Sequence, residues 1–152
     1  MTTLAAPINP LERRITLRLM AYWEKIRQGR DMPSENDIDP DDIGDLWDNC
    51  FLIQIRDLEK SDYNYTYLGT AIIEAYRGNL TEDYPAELIA LNANKLDGHF
   101  REVIINKHPV IHEGEFTNLS GSLVKYRQCL LPLSHDLTNV DAIFGGMRFK
   151  IF

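Results

Sequence analysis

"YNYTYLGTAIIEAYRGNLTEDYP", residues 63–85, changes character three times within a short distance. Tyr63, Tyr65 and Tyr67 alternate with Asn64, Thr66 and Leu68, the period-2 pattern of a strand with the three tyrosines on one face. Past Gly69 the apolar residues regroup as Ala71, Ile72, Ile73, Ala75 and Tyr76. That spacing predicts a helix of about two turns, stopped at Arg77-Gly78-Asn79. A strand that runs straight into so short a helix is either an ordinary connection or one wall of a pocket built from short helices.

Upstream, "CFLIQIRD" (50–57) is a compact apolar run without Gly or Pro and predicts a strand, joined to the tyrosine strand by the turn "LEKSD". Before it, "NPLERRITLRLMAYWEKIRQGRD" predicts a helix. Asn9 is placed as N-cap, Pro10 suits the first turn, and Gly29 marks the end. Leu11, Ile15, Leu19, Tyr22 and Ile26 form one apolar stripe along it, widened by Leu17, Met20 and Trp23. Asp39-Pro40-Asp41-Asp42 starts a second, short helix that reaches about Trp47.

Downstream of the opening stretch, "LTEDYPAEL" has no regular period. "LIALNANKLDGHFREVIINKH" predicts a third sizeable helix, with Leu88 or Leu91, Leu96, Phe100, Val103 and Ile104 on its buried side. Gly98 inside it costs about 1 kcal/mol against Ala. After Pro109 come three strands, "VIHEGEF", "LVKYRQCLLPLS" and "DAIFGGMRFKIF", joined by a Ser120-Gly121-Ser122 turn and the loop "HDLTN". Two β groups separated by a helical crossover imply an α+β fold, a mostly antiparallel sheet with helices on one face.

The 152 residues suit one domain, and 44% apolar with 26% charged residues is a globular composition. No apolar run reaches the roughly 20 residues that span a bilayer, and "MTTLAAPINP" has no signal-peptide pattern. Cys50 and Cys129 are too few for a disulfide framework, so the expected setting is the reducing cytoplasm. A net charge of −7 argues against nucleic acid or anionic membrane as a general partner. The charge is uneven: residues 31–48 hold eight acids and no Lys or Arg, whereas the preceding helix is basic.

Three stretches carry a resemblance to a known family. "LRLMAYWEKIRQGRDMPSENDIDPDDI" resembles its Tyr-Trp helix followed by an acidic Pro-containing segment. "YNYTYLGTAIIEAYRGNLTE" resembles its Tyr-x-x-x-Gly-Thr turn, and "CLLPLSHDLTNVDAIFGGM" its Leu-Pro-Leu-Ser loop with Asp and paired glycines. The chain is similar to single-domain PAS proteins of the alphaproteobacterial PAS_5 type. The resemblance implies one PAS domain over residues 1–152, with an N-terminal helix at 10–29 and a PAS core at 50–152. It also implies a five-stranded antiparallel sheet and a cavity between the short helices and the sheet. In that setting Gly69 and Gly78 would set how closely the helices approach the strands.

The expected function is that of a regulatory or sensory module rather than an enzyme, binding a small ligand, a partner signalling protein, or both. The alternative is a constitutive interaction or adaptor module with a filled core and no ligand. Tyr65, Tyr67, Tyr76, Phe100, Tyr126, Gln128, Phe144 and Gly145 are the ligand-pocket candidates, mostly aromatic with a few polar groups. Each also has a plainer reading as core. Leu19, Tyr22, Trp23 and Ile26 are candidates for a homodimer or partner contact, for which burial within one chain gives the same pattern.

The residues fix no cofactor. Haem-binding PAS sensors use a histidine on or just after the long helix, which singles out His99, His108 and His112. His112 sits with Glu113 and Glu115 in a polar strand, where solvent exposure is the expectation. "NCFLIQ" is superficially similar to the cysteine segment of flavin photosensors, but Cys50 opens a strand, and a buried small hydrophobe is the expected role. Asp37, Asp39, Asp41 and Asp48 have calcium-loop spacing, yet Pro40 and Asp42 stand where such a loop needs other residues, and helix capping explains the acids. Ser134-His135-Asp136 contains triad residue types, but adjacent positions do not form a triad. Gly145-Gly146 marks a bulge or a close approach, and Pro132 a strand bent or partly at an edge.

Overall fold

The structure, a computed structural model, describes residues 10–78 and 97–152, with only the backbone of 10–14 and 97. Asn9, "LTEDYPAEL" and the first half of the expected third helix lie outside these residues. The elements are helix α1 (Pro10–Ile26), a 3-10 turn (Glu35–Asp37), helix α2 (Pro40–Ile43), a 3-10 helix (Gly44–Asn49), strands β1 (Cys50–Asp57) and β2 (Asp62–Leu68), and helix α3 (Thr70–Arg77). Helix α4 (Asp97–Asn106) and strands β3 (Val110–Thr117), β4 (Leu123–Leu133) and β5 (Ala142–Ile151) complete the order. The α+β expectation holds, and strand limits fall within a residue or so of those read from the sequence.

All five strands form one antiparallel sheet in the order β2-β1-β5-β4-β3. The last strand therefore lies at the centre, and the register assigns each residue to a face. Cys50, Gly146 and Cys129 lie side by side on the outer face, while Phe51, Gly145 and Leu130 lie side by side on the helical face. Helix α1 crosses the outer face. A Cβ on Gly146 would lie 2.1 Å from Leu19 Cδ1, and one on Gly145 would lie 2.2 Å from Phe51 Cζ. The paired glycines are thus close-approach sites on both faces, and no bulge occurs there.

Much of the described apolar face of α1 is buried within its own chain, the plainer of the two readings its pattern allowed. Ile15, Leu19 and Trp23 are buried against the sheet, and Trp23 Nε1 donates to Pro132 O at 2.8 Å. Strand β3 reaches only as far as Leu130, so Pro132 sits where that side of β4 has no strand partner and loses no ladder bond. Tyr22 is engaged too: its hydroxyl accepts from Asp39 N–H at 2.9 Å and pins the acidic segment onto α1. Ile26 is half-buried. The acids of that segment cap: Asp37 accepts from Ser34 N–H and Arg30, and Asp39 from Asp41 N–H.

Gly69 and Gly78 bring α3 onto the sheet by different means. Gly69 has an ordinary φ of −63°, but a Cβ there would meet the backbone oxygens of Asp48 at 2.1 Å and Cys50 at 2.9 Å. Gly78 ends the helix at φ +70° beside Ser120 and Asn118. Buried Asn118 fastens this corner. Its Nδ2 donates to Ala75 O, and its Oδ1 accepts from Ser120 and Ser122 N–H.

Three substitutions test this packing by their effect on stability. Gly69→Ala forces backbone apart and should cost roughly 1–3 kcal/mol or more in urea denaturation. Gly98→Ala, with nothing within 4 Å of its Cβ, should stabilise by up to about 1 kcal/mol. Trp23→Ala should cost about 3–5 kcal/mol of folding stability, since it opens the interior. A variant that melts like the parent while changing its association state would contradict the inward placement of Trp23.

Candidate functional site

The strongest departure from the sequence reading lies in β2. Leu52 pairs with Tyr67 and Ile53 with Tyr65, so Thr66 is an extra residue and the register shifts. A bulge of this kind reverses the alternation. Tyr63 and Tyr65 face the helices, whereas Tyr67 faces the outer side, stacked on Trp47 at 4.2 Å with its hydroxyl donating to Trp47 O at 2.9 Å. Phe144 shares that outer face, 6.4 Å from the Trp47 ring. Tyr67 and Phe144 are therefore separated from the other pocket candidates by the sheet, because each lies in register with Leu52 on the outer side.

The other six candidates come together on the helical face. Tyr65 on β2, Tyr76 on α3 and Tyr126 on β4 are close enough that each of the latter phenols raises the pKa of Tyr65, though burial is the larger cause. Burial alone raises the Tyr126 phenol. Tyr126 lies across Gly114 of β3, where a Cβ would come 2.5 Å from its hydroxyl oxygen. Phe100 of α4 meets Tyr63 edge-on at 5.1 Å, and Gly145 lies beneath the Phe51 ring.

Gln128 is 1% exposed, and its Nε2 lies 3.1 Å from His112 Nδ1. A buried amide needs such a partner. His112 is not the solvent-facing residue expected from its acidic neighbours. Its ring lies 3.6 Å from His99 of α4 and 5.6 Å from Tyr126. The alternation in "VIHEGEF" carried the missed signal, since it puts Val110, His112, Gly114 and Phe116 on the same side. Phe116, also unassigned from sequence, stacks on Tyr76 at 4.3 Å. His108 is exposed on the link to β3.

The remaining sequence candidates resolve into structural roles. Cys50 and Cys129 are buried, and desolvation raises both thiols, Cys129 to about 12, so neither is a thiolate at neutral pH. Ser134 Oγ donates to Asp136 at 3.0 Å, while His135 Nδ1 pairs with Asp141 at 2.8 Å, so the three adjacent residues form no relay. Among the described residues no group of three or more His, Cys, Asp or Glu could hold a metal. No helix of the described residues is long and apolar enough to cross a membrane.

The five-strand order, the α3 turn against β1 and the polar-aromatic cluster beneath the helices are now joined by a family match. The family model described as a PAS domain, of the PAS_5 type, matches residues 11–148. The chain belongs to the PAS domain family. PAS domains are generally sensory or regulatory rather than catalytic. No curated protein matches the chain.

Two histidines of this PAS domain, His112 and His135, should have pKa values shifted in opposite directions. Desolvation first, and His99 second, lower the pKa of His112, with Glu102 and Glu113 opposing. Its folded form therefore resists the proton, and its contribution to stability falls as pH drops below about 6.5. The Asp141 hydrogen bond raises His135, whose contribution is present below about 6.5 and fades as pH rises through its folded pKa. An NMR titration of the imidazole protons should find His112 below about 6.5 and His135 above it; the reverse order would refute these surroundings.

Proposed function

We propose that this PAS domain is a regulatory module whose sheet and helices α3 and α4 hold a small molecule on the helical face, with output through contacts to another protein chain. The observation that carries the reading is Gln128, fully buried and paired with His112 among the phenols of Tyr65, Tyr76 and Tyr126. A core serving only stability gains little from a buried amide, whereas a ligand site combines apolar walls with a few placed polar groups. The ligand is then an aromatic or apolar compound with a hydrogen-bonding group opposite Gln128. Differential affinity for two arrangements of α3 and α4 would supply the signal.

The close ring stacks, above all Tyr76 on Phe116, favour a second reading in which side chains fill the interior and the module acts through protein contacts alone. Native mass spectrometry of freshly purified protein, compared with the denatured mass, separates the two. Ligand binding predicts extra mass that is lost on denaturation and also lost in Gln128→Leu, with the variant still folded by circular dichroism. A bare native mass, together with a Gln128→Leu variant as stable as the parent and no ligand found in a fragment screen of the parent, would favour the filled core.

A further inference from the structure

On the outer face, beyond the part that Leu19 and Ile15 cover, β4 and β5 set like charges directly opposite one another. Lys125 pairs with Lys150, and Arg127 pairs with Arg148. Cross-strand partners hold their Cβ atoms about 5 Å apart, and like charges so placed are unfavourable. Four cations in a two-by-two block are the more notable in a chain of net charge −7. Glu113 and Glu115 of β3 are the acids in register with the block, and Glu113 pairs with Arg127. Glu115 stands opposite Lys125, so the four cations face two acids in register and the block keeps a positive excess.

The block is concave rather than flat. Lys125, Arg127, Arg148, Lys150, Glu113 and Phe152 contribute to the wall of a cavity of about 330 Å³. Phe152 is 60% exposed and lies 5.3 Å from Lys125 Nζ and 5.4 Å from Lys150 Nζ, so its ring holds both ammonium groups at one rim. The Arg127 side chain is only one-third exposed, which reduces the water screening an anion there would meet, and its guanidinium donates through Nε and Nη2 to Glu113. Two flexible ammonium donors held side by side, with guanidinium charge next to them, are a donor set that phosphoryl oxygens take.

We infer that the outer face carries a binding site for a compact polyanion with two or more phosphoryl groups, held chiefly by Lys125 and Lys150 beside Arg127 and Arg148. The cavity is of small-molecule size, near the lower end for such sites, and its charges converge on one concavity rather than forming a stripe. The site lies across the sheet from the Gln128 cluster and does not depend on it. Phosphoryl groups reach such a site either as a free compound or on a lipid headgroup.

The test titrates pyrophosphate into the folded chain by calorimetry, at low and at physiological salt. Expected are saturable binding that weakens with salt, and a loss of about tenfold or more in affinity in Lys125→Ala/Lys150→Ala. Lys125→Arg/Lys150→Arg, which preserves charge, should retain binding, as should Lys60→Ala in the distant β1–β2 turn. Co-sedimentation with vesicles containing a phosphorylated inositol lipid identifies a headgroup as the source, and binding of pyrophosphate alone identifies a free compound. Absence of saturable pyrophosphate binding at low salt overturns the assignment. So does undiminished affinity in the double alanine variant. Binding of poly-glutamate without pyrophosphate also overturns it, in favour of an acidic protein surface.

Discussion

The structure depends on the absence of two side chains at the centre of its sheet. Gly145 and Gly146 sit at the middle of β5, and their missing Cβ atoms point to opposite faces. On one side the Phe51 ring drops onto Gly145; on the other Leu19 drops onto Gly146, flanked in register by the small side chains of Cys50 and Cys129. Two layers can therefore approach the same strand from both sides. Helix α1 gains a seat for its apolar stripe, and the helical face gains an aromatic floor. Bulk at either position would push one layer away and loosen the contacts that order the other, because packed interiors transmit displacement.

From that seat the two faces take on different characters. The outer face is covered in part, by α1 and by the Trp47–Tyr67 stack, with the acidic segment held down through Tyr22 and its own caps. The helical face collects the polar groups: three phenols, an imidazole pair and a buried amide. One extra residue, Thr66, decides which tyrosine goes where. The bulge gives β2 a polar-aromatic inner side and sends Tyr67 to brace the opposite layer. Asn118 then ties the end of α3 to the β3–β4 turn, so the helix next to the cluster is fastened at both ends, by Gly69 and by this amide.

The charge of the chain is organised by the same layering. The acids of residues 31–48 largely cap helices and face solvent, so their sum says little about any one surface. The cations of β4 and β5 are few, but strand pairing sets them side by side on the uncovered stretch of the outer face. A total of −7 and a local positive concavity coexist because register, not composition, decides which charges become neighbours.

By itself the sequence determined the elements and their order. Periodicity places α1 and the strands, the Asp39-Pro40 start sets α2, and the glycines at 69, 78, 145 and 146 mark where backbone or side chain must come close. Those are local signals, set by propensity and steric demand within a few residues. The face of Tyr67, the inward turn of Leu19 and Trp23, the meeting of His112 with His99 and Gln128, and the block of four cations were decided only in the tertiary structure. Each depends on strand register or on a partner far along the chain, and a one-residue shift in register exchanges one face for the other. A stripe that could equally meet a second molecule looks the same as one that meets its own sheet, because burial rewards apolar area without regard to which chain supplies the other side.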